Sequence, residues 1–237
     1  MPVSAAILVV EPVADTSIFA GQSAISDGAG PHLWVATTAG GIARRALVRF
    51  DLASITPGSQ INAVSLQIFE SRAQDVHDVA LHRLTRSWGE STSNGGDAGA
   101  GAAAAVGDAT WTSAFYALIS PTLWATPGRD FAGTPSAVTE VGVQGAYYSW
   151  SSTPNLVADV KSWVDDPAGN FGWIMIGDEV TQRSAKRFSS SESGVASVRP
   201  SLMIDYTLAP VPEPGTVAML LAGLGLLGAS VARRRTT

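Results

Sequence analysis

The chain has 237 residues, 46% of them hydrophobic and 15% charged, and a formal net charge of −5. Three of its fifteen basic residues stand in the last five positions, so the remainder carries about −8. That balance argues against nucleic acid as a partner, which needs a positive surface to displace counterions. No cysteine is present, which excludes disulfide scaffolding, thiolate catalysis and cysteine-type zinc sites.

The first six residues lack the positive start and apolar stretch of an export signal, yet Val3-Ser4-Ala5 has the small-x-small pattern of a signal cleavage site. Residues 1–6 are therefore expected to be the remnant of a signal peptide whose start lies upstream. The absence of Arg- or Lys-led apolar codons upstream in frame would refute that expectation.

From residue 7 onward, short period-2 segments alternate with turn residues. Strands are expected at 7–10, 16–19, 33–37, 45–52, 63–70, 79–84, 138–143, 147–150, 172–177 and 201–208. The clearest are 63–70, with Val64, Leu66 and Ile68 on one face, and 45–52, with Ala46, Val48, Phe50 and Leu52 inward and Arg49 and Asp51 outward. Trp173-Ile174-Met175-Ile176 is a continuous apolar run, as expected of a strand covered on both faces. Residues 91–106, with Asn94-Gly95-Gly96 and a Gly/Ala tract, offer no anchoring side chains and read as a mobile surface insertion. One helix is expected: Thr153 caps it, Pro154 takes its first position, and Leu156, Val157, Val160 and Trp163 or Val164 keep helical spacing until Asp165-Asp166-Pro167-Ala168-Gly169. Its apolar face is expected to cover an open end of the fold. The fold class is all-β, a β-sandwich or jelly roll over residues 7–208 with that single short helix.

A linker at 209–214 contains Pro212-Glu213-Pro214, and residues 215–232 form an uncharged run followed by Arg233, Arg234 and Arg235. Eighteen helical residues reach roughly 27 Å, enough for the hydrocarbon core of a bilayer. A single transmembrane helix is expected there, with residues 233–237 as a basic cytoplasmic tail and the domain beyond the inner membrane.

Few residues propose chemistry. Of the three histidines His32, His77 and His82, the last two fall five apart on one strand and cannot share a metal locally. The paired acids Asp165-Asp166 and Asp178-Glu179 could suggest glycoside hydrolysis, but each sits in a turn context where acids are common. Trp88, Trp111 and Trp124 lie beside polar or Gly/Pro-rich sequence and are candidates for stacking on sugar rings. Their alternative role is to cover the sandwich beneath long loops. Trp163 and Trp173 are expected in the core.

The tail Pro212-Glu213-Pro214, its Gly/Leu-rich span and the terminal arginines resemble the PEP-CTERM sorting signal of Gram-negative bacteria. The resemblance implies recognition and cleavage by an exosortase, and delivery to the cell surface or an extracellular matrix. The body carries Glu11-Pro12-Val13-Ala14-Asp15-Thr16, Arg49-Phe50-Asp51-Leu52, Trp88-Gly89-Glu90, Gly107-Asp108-Ala109-Thr110-Trp111 and Trp124-Ala125-Thr126-Pro127-Gly128. With Phe188-Ser189-Ser190-Ser191-Glu192 and Arg199-Pro200-Ser201-Leu202 these phrases resemble the DNRLRE-type module, a β-sandwich similar to carbohydrate-binding modules. The family's Asp/Arg/Glu phrase appears only as a serine-rich variant at 189–193. Sandwich modules of this kind often hold a structural calcium ion on carboxylates near their termini. Glu11 and Asp15 by the first strand and Asp205 on the last would form such a set if those strands pair; otherwise Asp15 caps a turn and Asp205 faces solvent. Three functions remain open: polysaccharide binding, the leading one; a structural matrix protein with no discrete ligand; and a hydrolase of surface polymer.

Overall fold

The computed structural model describes residues 5–142 and 144–209. Two antiparallel sheets pack face to face. One comprises β1 (Ala5–Val10), β4 (His32–Thr37), β6 (Gln60–Arg72), β12 (Ala146–Trp150), β14 (Lys186–Ser189) and β15 (Ser201–Thr207). The other comprises β2 (Pro12–Phe19), β3 (Ile25–Ser26), β5 (Ala43–Phe50), β7 (His77–Arg83), β8 (Ala102–Ala103), β11 (Ala137–Val141) and β13 (Trp173–Ile176). A small hairpin, β9 (Ser113–Phe115) with β10 (Thr122–Leu123), stands apart. Every strand expected from alternation is present. β1 begins at Ala5, paired with Thr207, so the sandwich starts two residues before the expected boundary at 7.

The sheets are joined through β4, which pairs with β14 over His32–Val35 and then with β5 at Ala36 and Thr37. Ala36 has φ 69°, a left-handed conformation uncommon outside glycine, at the point where the strand changes sheet. The inter-sheet core takes the even-numbered row of β6, Val64, Leu66 and Ile68, against Ala46, Val48 and Phe50 of β5. Each large side chain fully buried there contributes about 1.5–3 kcal/mol. The helix α1 (Pro154–Asp165) is capped by Thr153 Oγ1, which accepts from the Leu156 N–H at 3.0 Å. It lays Leu156, Val160, Trp163 and Val164 on this core, as its spacing predicts.

A second apolar layer was not legible in the sequence. Leu47 of β5, Ile18 of β2 and Ile174 of β13 point away from the first core, into a cluster with Leu84, Trp88, Ala114 and Trp124. Residues 85–131 thus roof one sheet, and β5 is buried on both faces. The expected mobile insertion at 91–106 is likewise corrected: it is fastened through its backbone. β8 pairs with β3, Ser93 accepts from Gly28 N, and the Asp108 carboxylate holds the Ser91 and Ala105 N–H groups at 2.7 Å. Its glycines serve close approach. A Cβ on Gly99 would come within 2.6 Å of the Trp34 ring, and one on Gly101 within 2.6 Å of Ile25.

Among the described residues, no helix is long and apolar enough to cross a membrane. The expected transmembrane helix at 215–232, Pro212-Glu213-Pro214 and Arg233 to Arg235 lie outside the described residues.

Candidate functional site

The tryptophan platform expected from the sequence does not form. Trp88 is 2% exposed and donates its indole N–H to Phe171 O at 2.8 Å. Trp124 is 5% exposed and donates to Thr110 O. Both belong to the second core and offer no ring face to a sugar. Trp111 is half-buried, with the Arg45 guanidinium 4.8 Å above its ring. All three carry out the alternative role named above, covering a sheet beneath long loops.

The paired acids are also occupied. Asp165 accepts from Lys161 and from Gly58 N. Asp178 caps a turn, and the Thr181 hydroxyl with the Thr181 and Val180 N–H groups pulls its carboxyl down to about 2. Glu179 meets the Arg45 guanidinium with both oxygens at 2.7 Å. The histidines are dispersed: His32 bonds Asp97, His77 pairs with Asp178, and His82 sits on Ala132 O.

What the fold assembles instead is a cationic groove. A cavity of about 320 Å³ opens where β4, β5, β6 and the 177–185 loop meet, lined by Trp34, Arg44, Arg72, Gln74, Ala98 and Arg183. The Trp34 ring forms its floor, with the Arg44 guanidinium 4.9 Å and the Arg187 guanidinium 5.9 Å from its centroid. Gly99 abuts the ring. The ring is 6% exposed, so it positions guanidiniums rather than stacking on a ligand. Arg187 stands directly opposite Arg72 across the β14–β6 ladder, a like-charge pairing that is unfavourable without an anion. Among the described residues, none of Arg44, Arg72, Arg183 and Arg187 forms an ion pair. Arg44 Nε is buried without a hydrogen-bond acceptor, and burial, eased by Asp27 nearby, lowers its pKa to about 10. Arg72 and Arg183 are exposed, and Arg183 is held at φ 68° in its loop.

A second, anionic cluster lies at the start of β2. Asp15, Glu90 and Glu192 each bring an oxygen within 4.8 Å of the others. Asp15 is fully buried; its Oδ2 accepts from Ser191 N at 2.8 Å, while its Oδ1 meets no donor. Burial, with Glu192 beside it, pushes the Asp15 carboxyl well above the usual carboxylate range. Burial and the same neighbour raise Glu90 to about 7. The set expected from the sequence is corrected here. The first strand, β1, does pair with the last, but Asp15 lies on β2, which pairs with β5 and β3 in the other sheet, while Asp205 on β15 lies opposite Ile7 and holds Asn62, and Glu11 pairs with Arg199. Of Glu11, Asp15 and Asp205, only Asp15 enters the cluster. Glu90 and Glu192 lie within the phrases Trp88-Gly89-Glu90 and Ser191-Glu192, but no spacing links them to Asp15.

Comparison with models of known families finds a PEP-CTERM protein-sorting motif at residues 210–235, which span Pro212-Glu213-Pro214 and Arg233 to Arg235. It also finds a carbohydrate-binding module of family 96 at residues 6–118, which include Trp34, Arg44, Arg72, Asp15 and Glu90. No curated protein matches the chain.

Proposed function

We propose that this chain is exported, processed by an exosortase, and binds an acidic polysaccharide in the groove at Trp34. The sorting motif supports export and processing, and the family 96 module supports a carbohydrate ligand. The observation that carries the choice of an acidic polymer is the set of three arginines without an ion pair that line an open groove, with Arg187 beside the same tryptophan, in a chain that is otherwise acidic. A planar guanidinium binds a carboxylate or sulfate with two parallel hydrogen bonds, and neutral sugar hydroxyls would leave these charges uncompensated. In this reading the sandwich is a jelly roll of DNRLRE type, and the protein is a binder with no catalytic role. Residues 215–232 span the inner membrane and hold the sandwich outside it until processing passes it to the cell surface or matrix.

Affinity electrophoresis tests this. The purified full chain is run through gels containing a polyuronate, a sulfated polysaccharide or a neutral glucan. Retardation by an acidic polymer, weakening as salt is raised, is the expected result. Retardation by the neutral glucan alone would overturn the choice of ligand. No retardation by any polymer would favour a structural matrix protein without a discrete ligand.

A further inference from the structure

Beside the groove lies a second cavity, also of about 320 Å³, whose walls are of another kind. Phe19, Ile25, Ile42 and Ala100 make it apolar, and it shares Thr38 and Arg44 with the groove. The Arg44 guanidinium stands 4.9 Å from the centroid of Trp34, which floors the groove, and 5.8 Å from that of Phe19, which lines the annex. The stretch after Asp97 crosses the same boundary, with Ala98 in the groove and Gly99 and Ala100 in the annex. Ile42 is 39% exposed, so part of this apolar wall meets water in the free protein. Gly101 closes on the other side, where an added Cβ would come within 2.6 Å of Ile25 and 2.7 Å of Phe19. One polar group serves the annex: Thr38 Oγ1 accepts from the Ile42 N–H at 3.0 Å, and its hydroxyl hydrogen has no acceptor among the described residues.

We propose that the groove and its annex together select an acidic polysaccharide that carries acetyl groups. The inference rests on the glycan reading above and adds the substituent. A sugar ring set against Phe19, Ile25 and Ile42 would leave hydroxyls without partners, which is costly. An acetyl group instead offers a methyl, which apolar walls remove from water, and a single carbonyl oxygen, which needs one donor. The Thr38 hydroxyl is that donor. A long acyl chain does not suit a cavity closed by Gly101. Because Thr38 and Arg44 belong to both cavities, one short stretch of polymer reaches both, its carboxylate on Arg44 and its acetyl group against Ile42. Charge then holds the polymer and the annex distinguishes among polymers of equal charge. Taking one methyl-sized group out of water is worth roughly fourfold in affinity.

The test is affinity electrophoresis of the full chain against an O-acetylated polyuronate and the same sample after mild alkaline deacetylation, which leaves the backbone charge unaltered. The acetylated form is expected to bind about fourfold to tenfold more tightly. Ile42→Gln, which makes the wall polar, should cut that preference to below about twofold. Ala100→Leu, which fills the annex from an exposed position, should do the same. Hyaluronan, an acidic polymer with N-acetyl groups, separates an ester from an amide: tight binding that Ile42→Gln weakens would support the annex and place its acetyl group on nitrogen. Equal affinity for all three polymers would overturn the acetyl preference and leave the groove reading standing. A preference that survives both substitutions would overturn the annex as its source. No binding to any of the three would overturn the groove reading and the annex with it.

Discussion

The groove at Trp34 and the cluster at Asp15 both gather like charge without partners, and they differ in sign, depth and reach. The groove presents long guanidinium arms, two of them exposed, around an open cavity of about 320 Å³. Arms of that length can follow an extended anion with repeated charges. The cluster holds short acids, one fully buried, with oxygens fixed by a strand and a loop. Such a site suits a point charge. Arg45 shows the third outcome. It neighbours Arg44 on β5, but alternation sends it to the opposite face, where it meets Glu179, Gly128 O and the Trp111 and Phe131 rings. Pairing, not residue type, separates charge used to build the fold from charge left for a ligand.

Substitutions at these positions can break that distinction. Arg45→Ala should have the largest effect, because it strands Glu179 and opens the second core. About 3–5 kcal/mol of stability should be lost in urea titration, with binding to an acidic polymer retained by whatever fraction stays folded. A loss below 1 kcal/mol would place Arg45 with the available arginines instead. Trp111→Ala removes the ring beneath the same guanidinium and should cost about 1–2 kcal/mol, again with unchanged binding. Weakened binding at unchanged stability would restore Trp111 as a sugar platform.

Glu70 sharpens the comparison through its dependence on pH. It is buried on the inner face of β6, and burial raises its carboxyl to about 7 despite Lys186 nearby. A raised folded pKa contributes stability that is fully present below the unfolded value, near 4.5, and is lost as pH rises through about 7. Glu70→Gln, which cannot ionise, should therefore gain on the native protein between pH 5 and pH 8 in thermal unfolding. A constant difference across that range would show that Glu70 does not titrate there.

Much of the sandwich was legible because alternation and capping are local. Val64, Leu66 and Ile68 follow a period of two, Thr153-Pro154 is a helix start, and the apolar run of β13 announces burial on both faces. The second core was not legible, since Trp88 and Trp124 stand among glycine and polar residues and become buried only when residues 85–131 fold back over β5. The 91–106 stretch looked unanchored because its anchors are backbone groups and contacts that only glycine allows. The groove draws Arg44, Arg72 and Arg183, with Arg187 beside Trp34, from four places whose sequence separation carries no period. The anionic cluster shares that property. Of its three members only Asp15 stood out, because the first strand does pair with the last but Asp15 lies on β2, in the other sheet, where its neighbours come from distant loops.

The most direct measurement is the affinity of an Arg72→Ala/Arg183→Ala double variant for a polyuronate, set beside the native chain. Both side chains are exposed, so the melting temperature should stay within a few degrees. Affinity should fall about a hundredfold, on the order of tenfold per lost charge-assisted contact, and its salt dependence should flatten. A folded variant that binds as tightly as the native chain would contradict the groove as the ligand site.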